Sequence, residues 1–224
     1  MQRFRIAFLV LLLAFPCVAT GAADEAQIAL PAPSVSGAIS VEQALAERRS
    51  IRQLRPDPIT LEHLSQLLWA AQGVTDPKGF RGTPSAGALY PLSVYAMVGS
   101  VASLGPGLHR YVPDDHGLVV LGDTDLRLSL VEAAFGQAWM RAAPVILVIT
   151  GREATTRRKY GDRAPMFVAI EVGHAAQNVY LQSHVLGLGT TAVGGFDRAE
   201  AHRVLGLPED EDVLLLMPVG VPAD

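Results

Sequence analysis

One cysteine occurs in the 224 residues, Cys17. It lies in an N-terminal segment expected to be removed, so the mature chain should contain no cysteine. Without one it has no disulfide, no thiolate metal site and no cysteine nucleophile. Charge is also scarce: 18 % of residues are charged and the formal net charge is −4. That balance excludes a broad electrostatic footprint for nucleic acid, although it leaves room for a local basic pocket. The six histidines are scattered. None shows His-x-x-x-His or comparable metal spacing, so no metal site is expected. There is no Gly-x-Ser-x-Gly elbow, no P-loop and no internal repeat.

What is present begins with a secretory pattern. Arg3 and Arg5 precede an apolar stretch from Ile6 to Phe15, and small residues follow at Ala19, Gly21, Ala22 and Ala23. This is the layout of a signal peptide over residues 1–23, cleaved after Ala23 or Gly21, with export as the consequence. A retained anchor is the alternative, but a spanning helix needs about 20 apolar residues. Pro16 before Cys17 argues against a lipoprotein signal, and no Arg-Arg pair signals export of a prefolded complex. Residues 24–40 are rich in Ala, Pro, Ser and Gly and read as a flexible leader. Residues 41–224 form the domain. Half of the chain is apolar, ample for a core.

The domain alternates helical and extended patterns. Ser40, with Gln43 three residues on, is a capping box opening a helix over Val41–Arg49. Thr60 caps a second, Leu61–Gln72, closed by Gly73. Leu92–Val98 reads as a strand, and Leu108–Val112 with Leu118–Leu121 as a hairpin. Asp125–Met140 reads as a helix and Val145–Thr150 as a buried strand. Met166–Leu186 is a long helix, apolar nearly all round. Such a helix is buried on most sides, which in a small domain is easiest if one face is an oligomer interface. Thr190–Val193 and Val213–Val219 are further strands, with a short helix over Arg198–Leu205. The order lacks a strict βαβ repeat, so the class is α+β.

Four segments can carry chemistry. Arg48, Arg49, Ser50 and Arg52 place three guanidiniums and a hydroxyl within five residues, a set that binds phosphate. The same charges equally suit a helix C-terminus. Thr83 to Pro91 is a turn leading into a strand, and Gly87 between Ala86 and Ala88 lets a planar ligand approach the backbone. An ordinary loop has the same composition. Lys159 and Tyr160 can stabilise an oxyanion and relay a proton if both reach one pocket. Neighbours on a regular helix point about 100° apart, and Arg157 and Arg158 also make this a solvated basic face. Gly194 and Gly195 end a strand and can offer backbone N–H groups. Gly187-Leu-Gly189 only imitates a dinucleotide fingerprint, because it follows a helix and opens a strand.

Taken in order, these segments resemble the nitroreductase superfamily, and more closely its SagB/ThcOx-like branch of azoline oxidases. The motifs are Arg48–Arg52, Pro84–Pro91, Lys159–Arg163, Glu171–Asn178 and Gly187–Asp197, so the likeness covers about residues 41–222. The resemblance implies a nitroreductase-like fold: a mixed central sheet flanked by helices, with the long helix pairing two protomers. It implies a homodimer that holds FMN at the interface, with no nucleic-acid partner and no membrane span after signal cleavage. Arg48, Arg49, Ser50 and Arg52 would bind phosphate and the ring's polar edges. Pro84, Ser85, Ala86 and Gly87 would lie against the ring, with Gly194 and Gly195 on its other side. Lys159 and Tyr160 would be the acid/base pair of a ping-pong oxidoreductase acting on a small organic or peptide-like substrate. A non-catalytic flavin- or small-ligand-binding protein on the same scaffold is the alternative. Two departures stand out. No Lys or Arg follows Arg203, and Ala88 places a methyl where relatives that reduce nitro groups often have a polar side chain.

Overall fold

The computed structural model describes residues 27–223, so the expected signal segment lies outside the described residues. Local sequence sets the first elements. Helix α1 (Val41–Glu47) starts at a formed capping box: the Gln43 N–H donates to Ser40 Oγ at 3.2 Å and the Ser40 N–H to Gln43 Oε1 at 3.0 Å. Thr60 Oγ1 accepts from the His63 N–H at 3.2 Å and opens α2 (Leu61–Gln72). The helix expected over residues 125–140 is shorter. It forms α3 (Arg127–Ala133), then breaks where Phe135 and Gly136 turn left-handed, at φ 56° and 69°. A 3-10 turn, Ala138–Ala142, follows.

Eight strands form one sheet: β1 (Gln27–Ala29), β2 (Leu54–Arg55), β3 (Leu92–Val98), β4 (Gly107–Val112), β5 (Gly117–Val120), β6 (Val145–Gly151), β7 (Gly189–Thr190) and β8 (Asp212–Pro222). The order is β1-β5-β4-β3-β6-β8-β2, with β7 also on β8. All strand pairs are antiparallel, which corrects the expected mixed sheet. The reason lies in the connections. Val98 at the end of β3 pairs with Val145 at the start of β6, and Gly151 at the end of β6 pairs with Asp212 at the start of β8. Each connection returns to the sheet edge it left, so the next strand runs the opposite way.

The central strands are buried on both faces, which explains their unbroken apolar runs. Val94, Ala96 and Val98 of β3, with Val145, Leu147 and Ile149 of β6, face α2 and the long helix α5 (Ala164–Val185). Their alternates Tyr95, Met97, Ile146 and Val148 face α3 and α6 (Arg198–Leu205). Helices thus cover both sides of a sheet read with period two. Between β6 and α5 lies α4 (Glu153–Tyr160). Among the described residues no helix is long and apolar enough to cross a membrane.

The expected leader is corrected in its described part. Residues 27–29 pair with β5, and the chain beyond is tethered at Pro31. The Pro31 carbonyl accepts from the Ser65 hydroxyl at 2.6 Å and from His116 Nε2 at 2.9 Å. His116 Nδ1 lies 2.9 Å from the Tyr111 hydroxyl, so the Nε2–H tautomer satisfies the whole cluster. Ser34 is held to Gln66 by two bonds, 2.8 and 3.0 Å. His116→Ala should lower the unfolding free energy by about 1–3 kcal/mol, because buried partners are left unsatisfied. Urea denaturation reads that loss, and unchanged stability would mean the tether carries no weight.

Candidate functional site

Helix α5 has 22 residues and is about 33 Å long. Its apolar positions Val168, Val172, Ala175, Ala176 and Val179 sit in the core. Its polar positions organise two clusters on different faces.

The first cluster is the loop before β3. Asn178 Nδ2 donates to Thr83 Oγ1 at 3.0 Å and to the Ala70 carbonyl at 3.1 Å. Thr83 Oγ1 donates to the Ala71 carbonyl at 2.6 Å, which fixes the loop to α2. One turn back, His174 Nδ1–H donates to the Pro84 carbonyl at 3.1 Å. The Ser85 hydroxyl lies beside the Glu171 carboxyl and favours its ionised form. Ser85 Oγ in turn accepts from the Tyr90 N–H at 2.9 Å. Held this way, the loop adopts left-handed backbone at Gly87 (φ 64°), Ala88 (φ 53°) and Tyr90 (φ 48°). Two of these are not glycine, and such strain collects at functional sites.

Lys159 and Tyr160 close on this loop. They end α4, where Gly161 (φ 55°) turns the chain out of the helix. The end position removes the regular helical divergence of neighbouring side chains. A Cβ on Gly87 would stand 2.7 Å from Lys159 Nζ and 2.9 Å from the Tyr160 hydroxyl. Both polar tips therefore reach one small area over the loop backbone. The Tyr160 ring is braced by Phe167 of α5, 4.6 Å between centroids. Arg157, two residues earlier, is paired with Glu153 and Asp162. Lys159 has no ion pair among the described residues, which leaves its ammonium available to a ligand.

The second cluster gathers around Tyr180. Its hydroxyl accepts from the Ala192 N–H at 2.7 Å and lies 3.0 Å from Ser50 Oγ. The Arg48 guanidinium stands 5.0 Å from its ring centroid. Ile51 bonds across to Thr190 and Thr191, at 2.9 and 2.8 Å, so residues 48–52 run beside the strand that leads to Gly194. Arg52 stands 5.9 Å from the Trp139 ring, and Gln137 Nε2 donates to the Gly195 carbonyl at 3.0 Å. Gly194 and Gly195 are exposed, and their N–H groups donate to no acceptor among the described residues. Arg49 differs from its neighbours: its Nη1 donates to the carbonyls of Ala46 and Arg48, at 2.9 and 2.7 Å, and so caps α1.

The two clusters do not meet within one chain. Asn178 and Tyr180 are two residues apart and so point about 200° apart around the helix. Glu171 and Tyr180 are nine residues apart, about 14 Å along the axis. Arg48, Ser50, Arg52, Gly194 and Gly195 form one set. Pro84, Ser85, Ala86, Gly87, Lys159 and Tyr160 form the other. Sequence reasoning named all of these residues but missed Tyr180, Trp139 and Gln137. It also missed what Glu171 does, although its signal was visible as the only fully charged residue type on an apolar helix.

The residues suit a flavin mononucleotide. Arg48 and Arg52 have no ion-pair partner among the described residues, and with Ser50 they match a phosphate and polar ring edges. Nothing within 4 Å would meet a Cβ on Gly194 or Gly195, so a flat ring can approach their N–H groups. On the loop side Gly87→Ala should be disruptive. The left-handed backbone costs an L-residue about 1–2 kcal/mol, and the new methyl displaces Lys159 and Tyr160. We expect a lower melting temperature and a fall in turnover on the order of 10²-fold. Wild-type turnover in the variant would show that the Gly87 contact is incidental.

Comparisons with known proteins bear on the family and the fold. The model of the nitroreductase family matches residues 45–221. A protein of Methanocaldococcus jannaschii that carries a nitroreductase name is 44 % identical over 182 residues, 81 % of this chain and 91 % of that protein. A crystal structure from Ralstonia eutropha JMP134, also named as a nitroreductase, superposes with a TM-score of 0.77 at 31 % identity, over 88 % of this chain and 90 % of that one. The NADPH:FMN oxidoreductase of Vibrio harveyi, complexed with NAD+, shares the fold with a TM-score of 0.60 at 23 % identity, over 82 % and 69 % of the two chains. The antiparallel sheet between helical layers, the family match along most of the chain and the relative at 44 % identity have one reading: the chain belongs to the nitroreductase family, whose members are generally flavin-dependent, and is an oxidoreductase.

Proposed function

We propose that this protein is an FMN-dependent oxidoreductase of the SagB/ThcOx-like type, working by ping-pong exchange on a small organic or peptide-like substrate. The observation that carries this reading is the convergence of Lys159 Nζ and the Tyr160 hydroxyl on Gly87. Bound FMN would supply the ring that accepts and returns hydride. The chain's own residues bind, orient and manage protons. Arg48, Ser50 and Arg52 would hold the phosphate and the ring's polar edge. Gly194 and Gly195 would offer N–H groups to the ring, and Ser85, Ala86 and Gly87 would offer it a thin backbone surface. Tyr160 donates or takes a proton at the substrate, and Lys159 stabilises the negative charge that accompanies it. Ala88 adds only a methyl beside this surface, which favours an uncharged, flat substrate over one that needs a polar anchor there.

Because the two sets lie on different faces of α5, one ring needs both only if a second protomer supplies the second set. The surface supports a homodimer. Met166 and Ile170 of α5 are 52 % and 47 % exposed, and Val41 and Leu45 of α1 are 65 % and 54 % exposed. Gly173 and Gln177 continue the α5 stripe at helical spacing. An apolar stripe of this kind marks an association surface. The signal pattern of residues 1–23 supports work outside the cytosol after cleavage, with an electron donor other than a cytosolic nucleotide pool.

Two experiments test the assignment. Lys159→Ala and Tyr160→Phe should each lower turnover by about 10²–10⁴-fold while the protein keeps its flavin. Turnover that survives both changes would remove the pair from the mechanism. Arg48→Ala should weaken FMN binding by about 1.5–3 kcal/mol, the value of a hydrogen bond to a charged group. Arg49→Ala should weaken it less, since that guanidinium already caps α1. Titration of the apo-protein with FMN compares the two, and a reversed order would exchange their roles.

A further inference from the structure

Glu171 is buried, with 2 % of its surface exposed, and it is the only Asp, Glu, Lys or Arg on α5. Its surroundings differ from those of Glu211, the other buried acid named among the described residues. Glu211 has Arg152 Nη2 at 2.7 Å and accepts from the Tyr95 hydroxyl at 2.9 Å. Glu171 has no such cation in contact. The Ser85 hydroxyl stands beside its carboxyl, and Oε1 has no hydrogen-bond partner among the described residues. A buried carboxyl oxygen without a partner is costly and calls for a role.

The position of Glu171 supplies one. Phe167, Glu171, His174 and Asn178 stand at spacings of four, three and four on one face of α5. Each holds the next part of the site. Asn178 takes Thr83, His174 takes Pro84, Glu171 takes Ser85, and Phe167 braces Tyr160. Among these groups Glu171 is the one whose burial moves its carboxyl toward neutrality. We propose that Glu171 is a positioning residue for the loop Pro84–Gly87, acting through the Ser85 hydroxyl, and that gain or loss of its proton alters the grip of that loop on its flavin. The proposal rests on the reading that this loop faces FMN.

The electrostatics agree in direction. Burial pushes the Glu171 carboxyl up to about 7, against the opposing pull of Ser85, Arg81 and His174. Arg81 reaches the site from the turn after α2, where it bonds Gln72 at 2.8 Å and lies 4.6 Å from the Tyr90 ring centroid. Lys159 and Tyr160 face the loop from its other side. The neutral acid leaves Ser85 in a hydrogen bond without net charge beneath the loop. The ionised acid places a buried negative charge beneath a surface that must hold an anionic cofactor. Flavin affinity should therefore fall as pH rises through neutrality.

The test titrates purified apo-protein with FMN between pH 6 and 8.5, following quenching of flavin fluorescence, for wild type, Glu171→Gln and His174→Gln. The wild type should lose affinity on the order of tenfold across the range, the size of a typical coupling between sites. Glu171→Gln, which keeps the shape of the neutral acid, should bind with a much flatter profile. His174→Gln loosens the bond to the Pro84 carbonyl and should bind FMN more weakly throughout, with the wild-type dependence on pH kept. A Glu171→Gln profile that tracks the wild type would overturn the proposal. Failure of all three proteins to bind FMN would instead sink the flavin reading, and ligand-free stability then decides the coupling. The native carboxyl titrates at about 7 against an ordinary 4.5, so the native state holds the extra proton in that window. Wild-type stability therefore falls as pH rises through it. The melting-temperature advantage of Glu171→Gln should widen from pH 5.5 to 8.5, and Ser85→Ala, which removes a group that favours the ionised acid, should widen it further. A constant advantage would overturn the proposal on its own.

Discussion

The burial of α5 is the constraint on which both halves of the site depend. A 22-residue helix packed against the sheet brings its polar side chains to where they must find partners. Toward one face Asn178, His174 and Glu171 find them in consecutive residues of one loop, Thr83, Pro84 and Ser85. Toward another, the Tyr180 hydroxyl finds them in Ser50 and Ala192. The contacts of these polar groups thus set the course of both segments. Neither segment is long enough to hold a shape by itself.

That support explains how a strained loop persists. Gly87, Ala88 and Tyr90 are all left-handed, although two of them carry side chains that disfavour it. Thr83 ties the loop to α2, His174 ties it to α5, and the Tyr90 hydroxyl accepts from the Arg81 N–H at 3.1 Å. The result is a bare patch of backbone at Gly87 with the polar tips of Lys159 and Tyr160 above it. Rigid support for a small reactive surface is what proton transfer beside a planar ring requires.

Local signals were legible in the sequence, and non-local ones were not. Helix α2 and strand β3 occupy the expected residues because a cap, a period and a closing glycine are all read within a few positions. The break at Phe135–Gly136 depends on left-handed backbone at a residue that gives no warning of it. Strand direction depends on which sheet edge each connection returns to, so an antiparallel sheet stood where a mixed one was expected. The leader read as flexible from its composition, yet Pro31 is pinned by Ser65 and His116, which lie 34 and 85 residues away. In the site, motif order supplied the residue types. It did not show that they fall into two sets on different faces of one helix, nor that Arg49 serves α1 while Arg48 and Arg52 stand over aromatic rings.

If one ring is to meet both sets of groups, as proposed, a second copy of the chain must supply one of them. The most direct test is the mass and colour of the chain lacking residues 1–23, measured by gel filtration with light scattering after incubation with FMN. The account predicts a species of twice the chain mass that carries one oxidised flavin per protomer through the column. A colourless monomer, or flavin retained by a monomer, would contradict it.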